Sequence, residues 1–310
     1  MSQVDIILVS YNTADYTVRA IESVFEQTKE TDVNLIVVDN NSSDDSVEKI
    51  NSKFPSVEII QTGANLGFAG GVNVGAKAGH ADYILLLNPD TVILDGAIDK
   101  LVEFAKQHPN AGVWGGVTLN NDLSLNPNNA RARISFRTLV FSATGLSKIF
   151  RGSCFFNYDN YGCWDRLSER DVDVITGCFF LTPRTLWDSL EGLDTTFFMY
   201  AEEADYCIRA IDAGYQPRVT PNARIIHHGG VSEVNLSGKM IKLLKGKAHF
   251  IKKHEPSWKQ PIFNGLLLTH VFNKYLSSGL KAFFKKDAKL VHEEWKEIFT
   301  QRKSWMAGYK

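Results

Sequence analysis

No stretch of this 310-residue sequence holds the roughly 18 uninterrupted apolar residues that a membrane-spanning helix needs. The richest segment, Pro261 to Phe284, is broken by Asn264, His270, Asn273, Lys274 and Lys281. The N-terminus has no basic region and its first apolar run is only Ile6 to Val9, which argues against a signal peptide and fits a strand. Phosphate-binding signatures are missing as well. There is no G-x-x-x-x-G-K-[ST], and the first strand–helix turn, Ser10 to Thr13, has no glycine, which excludes a G-x-G-x-x-G dinucleotide site there. Cysteine is scarce: Cys154, Cys163, Cys178 and Cys207 form no C-x-x-C pair and no zinc-finger spacing. They are expected to be buried or free thiols in a reducing cytoplasm. No internal repeat is present.

What is there is the composition of a soluble globular protein, 44% hydrophobic and 22% charged. A net charge of −1 hides an asymmetry. Ser237 to Lys310 carries 15 Lys and 1 Arg against 5 acids, a basic tail on an acidic body. Such a tail suits an anionic partner surface.

Along residues 1–118 strand-like and helix-like patterns alternate. Val4–Ser10, Val33–Asp39, Val57–Ile60, Tyr83–Leu87 and Gly112–Leu119 read as strands. Thr13 is placed as the N-cap of the first helix, Ser42 with Asp45 as a capping box for the second, and Ala97–Gln107 as a later helix. Near-continuous apolar strands separated by helices imply a mostly parallel, doubly wound α/β sheet. Ligands in such sheets sit outside the carboxyl ends of the strands, which singles out Tyr11-Asn12, Asp39-Asn40-Asn41 and Asn88-Pro89-Asp90. Asn120 to Asn129, with five asparagines and a proline, reads as a long mobile loop, and irregular sequence continues to about Arg170. Val172–Thr182 and Arg218–His227 read as strands flanking a helix at Glu202–Ala213, which stops at Gly214. From Lys239 onward the pattern is helical and basic. The chain thus divides into 1–118, 119–236 and a basic helical extension, 237–310.

Each polar group at the strand ends has a chemical and a structural reading. Asp39 can accept hydrogen bonds from a base or ribose, or cap the following helix. Asp90 suits a hard divalent cation bridging phosphate oxygens, although N-P-D is also good turn chemistry. His227-His228-Gly229-Gly230 ends a strand, where an imidazole can complete a metal shell. The stretch Gly63 to Gly75 permits close approach to a ribose or diphosphate, or tight helix–sheet packing. Glu202, Glu203 and Asp205 crowd the first turn of a helix, where the macrodipole favours acids. Crowding of like charge can also raise one of them, so that Glu203 or Asp205 could act as a general base on an acceptor hydroxyl.

Together these pieces resemble the family-2 glycosyltransferases of the GT-A fold, near their rhamnosyltransferase-like branch. Seven segments fall in the family's order over residues 4–232: Val9–Asn12, Val37–Ser43, Asn65–Gly71 with Asn73, Leu87–Asp90, Thr176-Gly177, Phe198–Asp205 and His227–Gly230. The resemblance implies a nucleotide site formed by Tyr11, Asn12, Asp39, Asn65, Gly67 and Asn88. It implies Mg²⁺ or Mn²⁺ held by Asp90 and His227, and a catalytic base at Glu203, followed by Asp205 and Arg209. Two positions depart from the family pattern: Asn88 replaces the first D-x-D aspartate, and Glu203 stands where an aspartate is usual. The implied reaction is inverting transfer of a sugar from a nucleoside diphosphate donor, dTDP-rhamnose by the branch, to a hydroxyl of a glycan or lipid-linked glycan in bacterial surface-polysaccharide synthesis. The rivals are a UDP-sugar donor, a nucleotidyltransferase, and a catalytically silent sugar-nucleotide-binding protein. The tail, through Lys239, Lys242, Lys245, Lys247, Lys252 and Lys253, reads as peripheral contact with an anionic membrane surface at its cytoplasmic face, or as a homodimer contact. Nucleic-acid binding is not expected, because no recognition module accompanies the basic residues.

Overall fold

A computed structural model describes residues 3–229 and 235–309; Gly230 of the His-His-Gly-Gly segment lies outside the described residues. The chain folds as two compact units. The described parts of Met1–Arg131, Asp165–Thr195 and Glu202–Ser232 form one, and those of Ala132–Trp164, Thr196–Ala201 and Glu233–Lys310 the other.

The first unit is built on β1 (Val4–Ser10), all of whose residues are buried because both faces are covered. Val4, Ile6 and Leu8 share a core with Ile21 and Val24 of α1 (Ala14–Gln27), Ile50 of α2 (Ser46–Lys53) and Leu101 of α4 (Ala97–Gln107). The other face of β1 lies against α3 (Gly67–Ala78). A Cβ added at Gly71 would come within 2.8 Å of Val9, and one at Gly75 within 2.6 Å of Ile7. These two glycines therefore serve close helix–sheet packing.

The main sheet runs in the order β3 (Glu58–Gln61), β2 (Val33–Asp39), β1, β4 (Tyr83–Leu87), β11 (Phe179–Pro183), β6 (Trp114–Leu119), β12 (Arg218–His227) and β5 (Thr91–Leu94). Its first half is parallel throughout, whereas β11 enters antiparallel to both neighbours and β5 antiparallel to β12. Short β7 (Leu125–Asn126) and β9 (Arg170–Asp171) join its margins, and β8 (Ala130–Arg131) pairs with β10 (Val174–Ile175). The unit also holds α7 (Arg184–Ser189) and α8 (Glu202–Asp212). Gly214 follows α8 with φ +95°, the left-handed geometry expected of a helix stop.

Three local expectations are corrected. Ser42 and Asp45 form no capping box, since α2 starts at Ser46 and its flanking Asp45 makes no side-chain cap bond. Asp44 supplies the caps instead: one oxygen accepts from Ala14 N at the start of α1 (3.1 Å), the other from Ser46 N (3.2 Å). Asn120–Asn129 is not an open loop. Asn120 Nδ2 donates to Ser124 Oγ, Asn126 Oδ1 accepts from Asn128 N, and buried Asn129 donates to Gly116 O at 3.0 Å. Amide side chains here substitute for ladder bonds. Val172–Thr182 is two strands, not one, interrupted at Thr176–Cys178 where the backbone turns to bond Asn129 O and Asn88 N.

The second unit is helical. A core of Leu139, Leu244, Ile251, Phe263, Leu267, Val271, Trp295, Ile298 and Trp305 joins α5 (Phe136–Ala143), α9 (Leu236–His254), α10 (Gln260–Phe284), α11 (Lys289–Thr300) and α12 (Arg302–Met306). Helix α5, in a segment read as irregular, starts with a true capping box between Ser135 and Thr138. It is followed by the short α6 (Leu146–Ile149). Cys154 and Cys163 are joined by a disulfide, against the expectation of free thiols: the chain between them folds back until their Cα atoms are 4.9 Å apart. Cys178 and Cys207 are buried free thiols. Residues 196–201 are held within this unit by Tyr309, whose hydroxyl donates to Met199 O at 2.6 Å, and by His249 against Thr196 Oγ1 at 3.0 Å. No helix among the described residues is long and apolar enough to cross a membrane.

Candidate functional site

The carboxyl ends of β1, β2 and β4 in the first unit collect the polar residues that the strand pattern singled out. Past β1, Asn12 adopts φ +53° and ties the first loop to the second: its Oδ1 accepts from Ser43 N (2.8 Å), and its N–H donates to Ser42 Oγ (3.0 Å). Tyr11 beside it is exposed. At the end of β2, Asp39 is buried at 4% exposure. Its Oδ2 accepts from Ser42 N at 3.2 Å, while Oδ1 is buried and has no partner. An unpartnered buried carboxylate oxygen is costly, and a ligand donor is the usual explanation.

Asn40 had drawn attention only by position, with no role assigned. Its amide donates to Asn65 Oδ1 (3.1 Å) and Gly67 O (3.0 Å), and its Oδ1 accepts from Leu66 N (3.0 Å). It thereby fixes the glycine-rich loop at the start of α3. Gly67 takes φ +73°, which a side chain would strain, and Asn65 Oδ1 accepts its N–H at 3.0 Å.

The antiparallel register of β12 on β5 sets His227 opposite Thr91. This brings His227 Nε2 to 3.3 Å from Asp90 Oδ1 and 3.5 Å from Asn88 Nδ2. Asp90 is buried, which raises a carboxyl, yet hydrogen bonding and the charge of His227 hold it below its ordinary range. Burial works against the His227 imidazolium too, but the Cys178 sulfur and Asp90 outweigh it and raise the imidazole to about 10. His228, next in line, meets the Tyr16 ring edge-on at 5.4 Å.

A buried hard carboxylate and an imidazole side by side fit a divalent cation, provided that His227 gives up the proton it shares with Asp90 when the cation binds, since only the neutral ring is a ligand. They do not make an all-protein cage: among the described residues no group of three or more His, Cys, Asp or Glu is gathered for a metal.

The break at Thr176–Cys178 links this pair to α8. A Cβ added at Gly177 would meet Phe68 at 3.1 Å and the Glu203 Cβ at 3.9 Å, so the glycine lets this turn lie close against Phe68 of the glycine-rich helix and near the acid cluster. Cys178, one residue on, faces His227. Phe68 lies inside the Asn65–Gly71 segment, but neither it nor Cys178 was assigned a role by the sequence. Within α8, Glu202 is buried and Glu203 half-buried. Asp205 is fully buried and accepts from Arg209 Nε at 2.8 Å, while that guanidinium also donates to Leu190 O (2.6 Å) and Gly192 O (2.8 Å). Asp205 is thus engaged with Arg209, which anchors α8 to the preceding loop.

A hollow of about 550 Å³ lies away from this site, among Glu26, Asp95, Asp99 and Glu103. A smaller one, about 380 Å³, flanks α3 between Leu66, Asn73 and Thr195.

Comparison with known proteins gives this geometry a family. Residues 5–164 match the model of Glycosyl transferase family 2. The N-acetylglucosaminyl-diphospho-decaprenol L-rhamnosyltransferase of Mycobacterium tuberculosis is 28% identical over 245 residues, 72% of this chain and 75% of its own length. The poly(ribitol-phosphate) beta-N-acetylglucosaminyltransferase TarP of Staphylococcus aureus is 29% identical over 164 residues, covering 49% of this chain and 50% of TarP. Among solved structures, the mannosyltransferase PcManGT of Pyrobaculum calidifontis, in complex with GDP-Man and Mn²⁺, superposes with a TM-score of 0.60 at 12% identity, covering 99% of this chain and 87% of that one. The fold is GT-A, as in that structure.

Proposed function

The chain belongs to glycosyl transferase family 2, and from that premise we propose that it is an inverting rhamnosyltransferase, moving L-rhamnose from dTDP-rhamnose to a hydroxyl of a lipid-linked glycan. The donor and acceptor rest on the Mycobacterium relative, whose name specifies both an L-rhamnosyl group and a decaprenol-linked N-acetylglucosamine. The observation that carries the nucleotide site is Asp39 Oδ1, buried without a partner at the strand end where a nucleobase N–H would meet it. Tyr11, exposed, offers a ring face beside it, and Asn12, Asn65 and Gly67 shape the loops through the bonds described above.

Asp90 and His227 would hold Mg²⁺ or Mn²⁺, whose charge, when bound, offsets that developing on the leaving diphosphate. Asn88 adds an amide to the same turn. Glu203 takes the proton of the acceptor hydroxyl as the new oxygen–anomeric-carbon bond forms. The bond to the diphosphate oxygen breaks on the opposite face, and its electron pair leaves with the nucleotide. Asp205, paired with Arg209, positions the helix that presents Glu203.

Two measurements test this. Glu203→Gln is expected to lower kcat by about 10²–10⁴-fold, the usual worth of a general base, with nucleotide affinity retained. Near-normal turnover would remove Glu203 from the role. Thermal-shift binding of dTDP, UDP and GDP with and without Mn²⁺ is expected to single out dTDP; a shift with UDP alone would replace the donor by a UDP-sugar. TarP, an N-acetylglucosaminyltransferase, is the relative that favours keeping this second reading.

A further inference from the structure

Of the α9 lysines expected to face an anionic surface, Lys252 and Lys253 are exposed and the others only partly so. Lys239, Lys242, Lys245 and Lys247 are half-buried, Lys245 lies over the Tyr309 ring at 5.2 Å, and Lys253 over the Phe197 ring at 5.8 Å. The open surface is further along. We propose that the second half of α10, with α6 and the start of α11, docks on an anionic lipid bilayer through Leu276, Leu280, Phe283, Phe284 and the lysines around them.

Helix α10 has two apolar faces. One, Phe263, Leu267 and Val271, is spent on the core. The other, Phe272, Leu276, Leu280 and Phe283, recurs at steps of three and four and points to solvent. Phe283 is 83% exposed, Phe284 75% and Leu280 65%, and Leu290 and Val291 at the start of α11 continue the patch. Isolated exposed apolar residues are ordinary; a contiguous set including two bare phenylalanines marks an interaction surface.

Charge selects the occupant. Lys281, Lys285 and Lys289 are exposed around the patch, and among the described residues they and Lys148 of α6 make no ion pair. Lys148, Lys274 and Lys281 are close enough that, with burial as the larger cause, their mutual repulsion lowers the Lys274 ammonium below its ordinary value. Across 281–289 four lysines face a single acid, Asp287; such a net-positive rim seeks anions, and the long lysine stems can lie along an apolar surface while the ammonium reaches headgroups. A second copy would bring the same positive cluster against itself. An anionic bilayer satisfies both the apolar patch and the charge.

The test is flotation of the full chain with vesicles of phosphatidylglycerol and phosphatidylcholine, against phosphatidylcholine alone. Binding is expected on the anionic vesicles, weakened at high salt because the attraction is screened. Lys281→Glu with Lys285→Glu is expected to reduce it about tenfold or more, since each juxtamembrane charge is worth about 1 kcal/mol. Phe283→Ser with Phe284→Ser should do likewise, with the melting temperature and the dTDP shift unchanged, because both rings are in solvent. Three results overturn the proposal: no flotation of the unsubstituted chain, equal flotation of the phenylalanine variant, or a dimer in sedimentation that this variant dissolves. The readout needs no turnover, so its failure leaves the transferase reading standing, and the reverse also holds.

Discussion

Asp5 and Asp39 sit on adjacent strands of one sheet, β1 and β2, and both are buried, at 1% and 4% exposure. At the amino end, Asp5 is surrounded by donors: Asn34 Nδ2 at 2.8 Å, Ala81 N at 2.7 Å and Arg184 Nη2 at 2.7 Å. At the carboxyl end, Asp39 accepts one backbone N–H and leaves Oδ1 with none. The same residue type, equally deep, completes a network in one place and an unfinished one in the other. Burial alone does not separate structure from function in this fold; the satisfaction of each oxygen does.

The comparison breaks most visibly at Asp5. Asp5→Ala leaves the Arg184 guanidinium without its carboxylate, and loss of one partner of a buried pair costs about 3–5 kcal/mol. Urea unfolding should show that loss, with nucleotide binding intact in the folded fraction; a change under about 1 kcal/mol would mean the network is not structural. Asp90→Ala acts at the other end. The Mn²⁺-dependent part of dTDP binding should fall by more than the roughly 10–100-fold that losing a residue that only orients a metal ligand costs. Calorimetry with and without Mn²⁺ reads this directly, and an undiminished metal effect removes Asp90 from the site.

Asp39→Asn sharpens the contrast. It keeps an acceptor for Ser42 N, so stability should stay within about 0.5 kcal/mol of the unsubstituted protein. Loss of a charged acceptor should weaken dTDP by about 1.5–3 kcal/mol, measured by titration. If stability falls as far as for Asp5, the distinction between the two ends fails.

The smallest effect lies in the helical unit, where half-buried His270 donates to Ser142 O at 2.9 Å. Burial, and the charges of Lys247 on α9 and Lys274 on α10, lower its imidazole from the ordinary value. The folded state therefore favours neutral His270. Its stabilisation is complete above the ordinary histidine pKa of about 6.5 and declines as pH falls below it. His270→Gln should flatten the stability slope between about pH 7 and pH 5 by less than about 1.4 kcal/mol per unit. An unchanged slope would show that His270 titrates as in the unfolded chain.

The sequence placed Ala97–Gln107 and Arg218–His227 at their observed bounds, the first because its apolar residues recur at helical spacing, the second despite Pro221-Asn222 and a shift of register at its middle. The rule that ligands gather at strand carboxyl ends led to Asp39, Asn88 and Asp90, and the order of strands then brought His227 beside Asp90. What stayed hidden depends on contacts far apart in sequence. The asparagines of 120–129 look mobile by composition, because nothing local shows that Asn129 will reach Gly116 O. The apolar run 172–182 conceals its break at Thr176–Cys178, because apolar residues continue through it. Likewise, hydropathy cannot tell which of the two apolar faces of α10 will be covered.

The bond from Tyr309 to Met199 spans 110 residues. At about 5–20 residues per second, the ribosome needs on the order of ten seconds between the two. Throughout that interval Tyr200 and Ala201, held here at φ +70° and +77° without the freedom of glycine, lack this clasp. The segment leading into Glu202 and Glu203 therefore waits on residues far downstream before it takes its final form on a nascent chain.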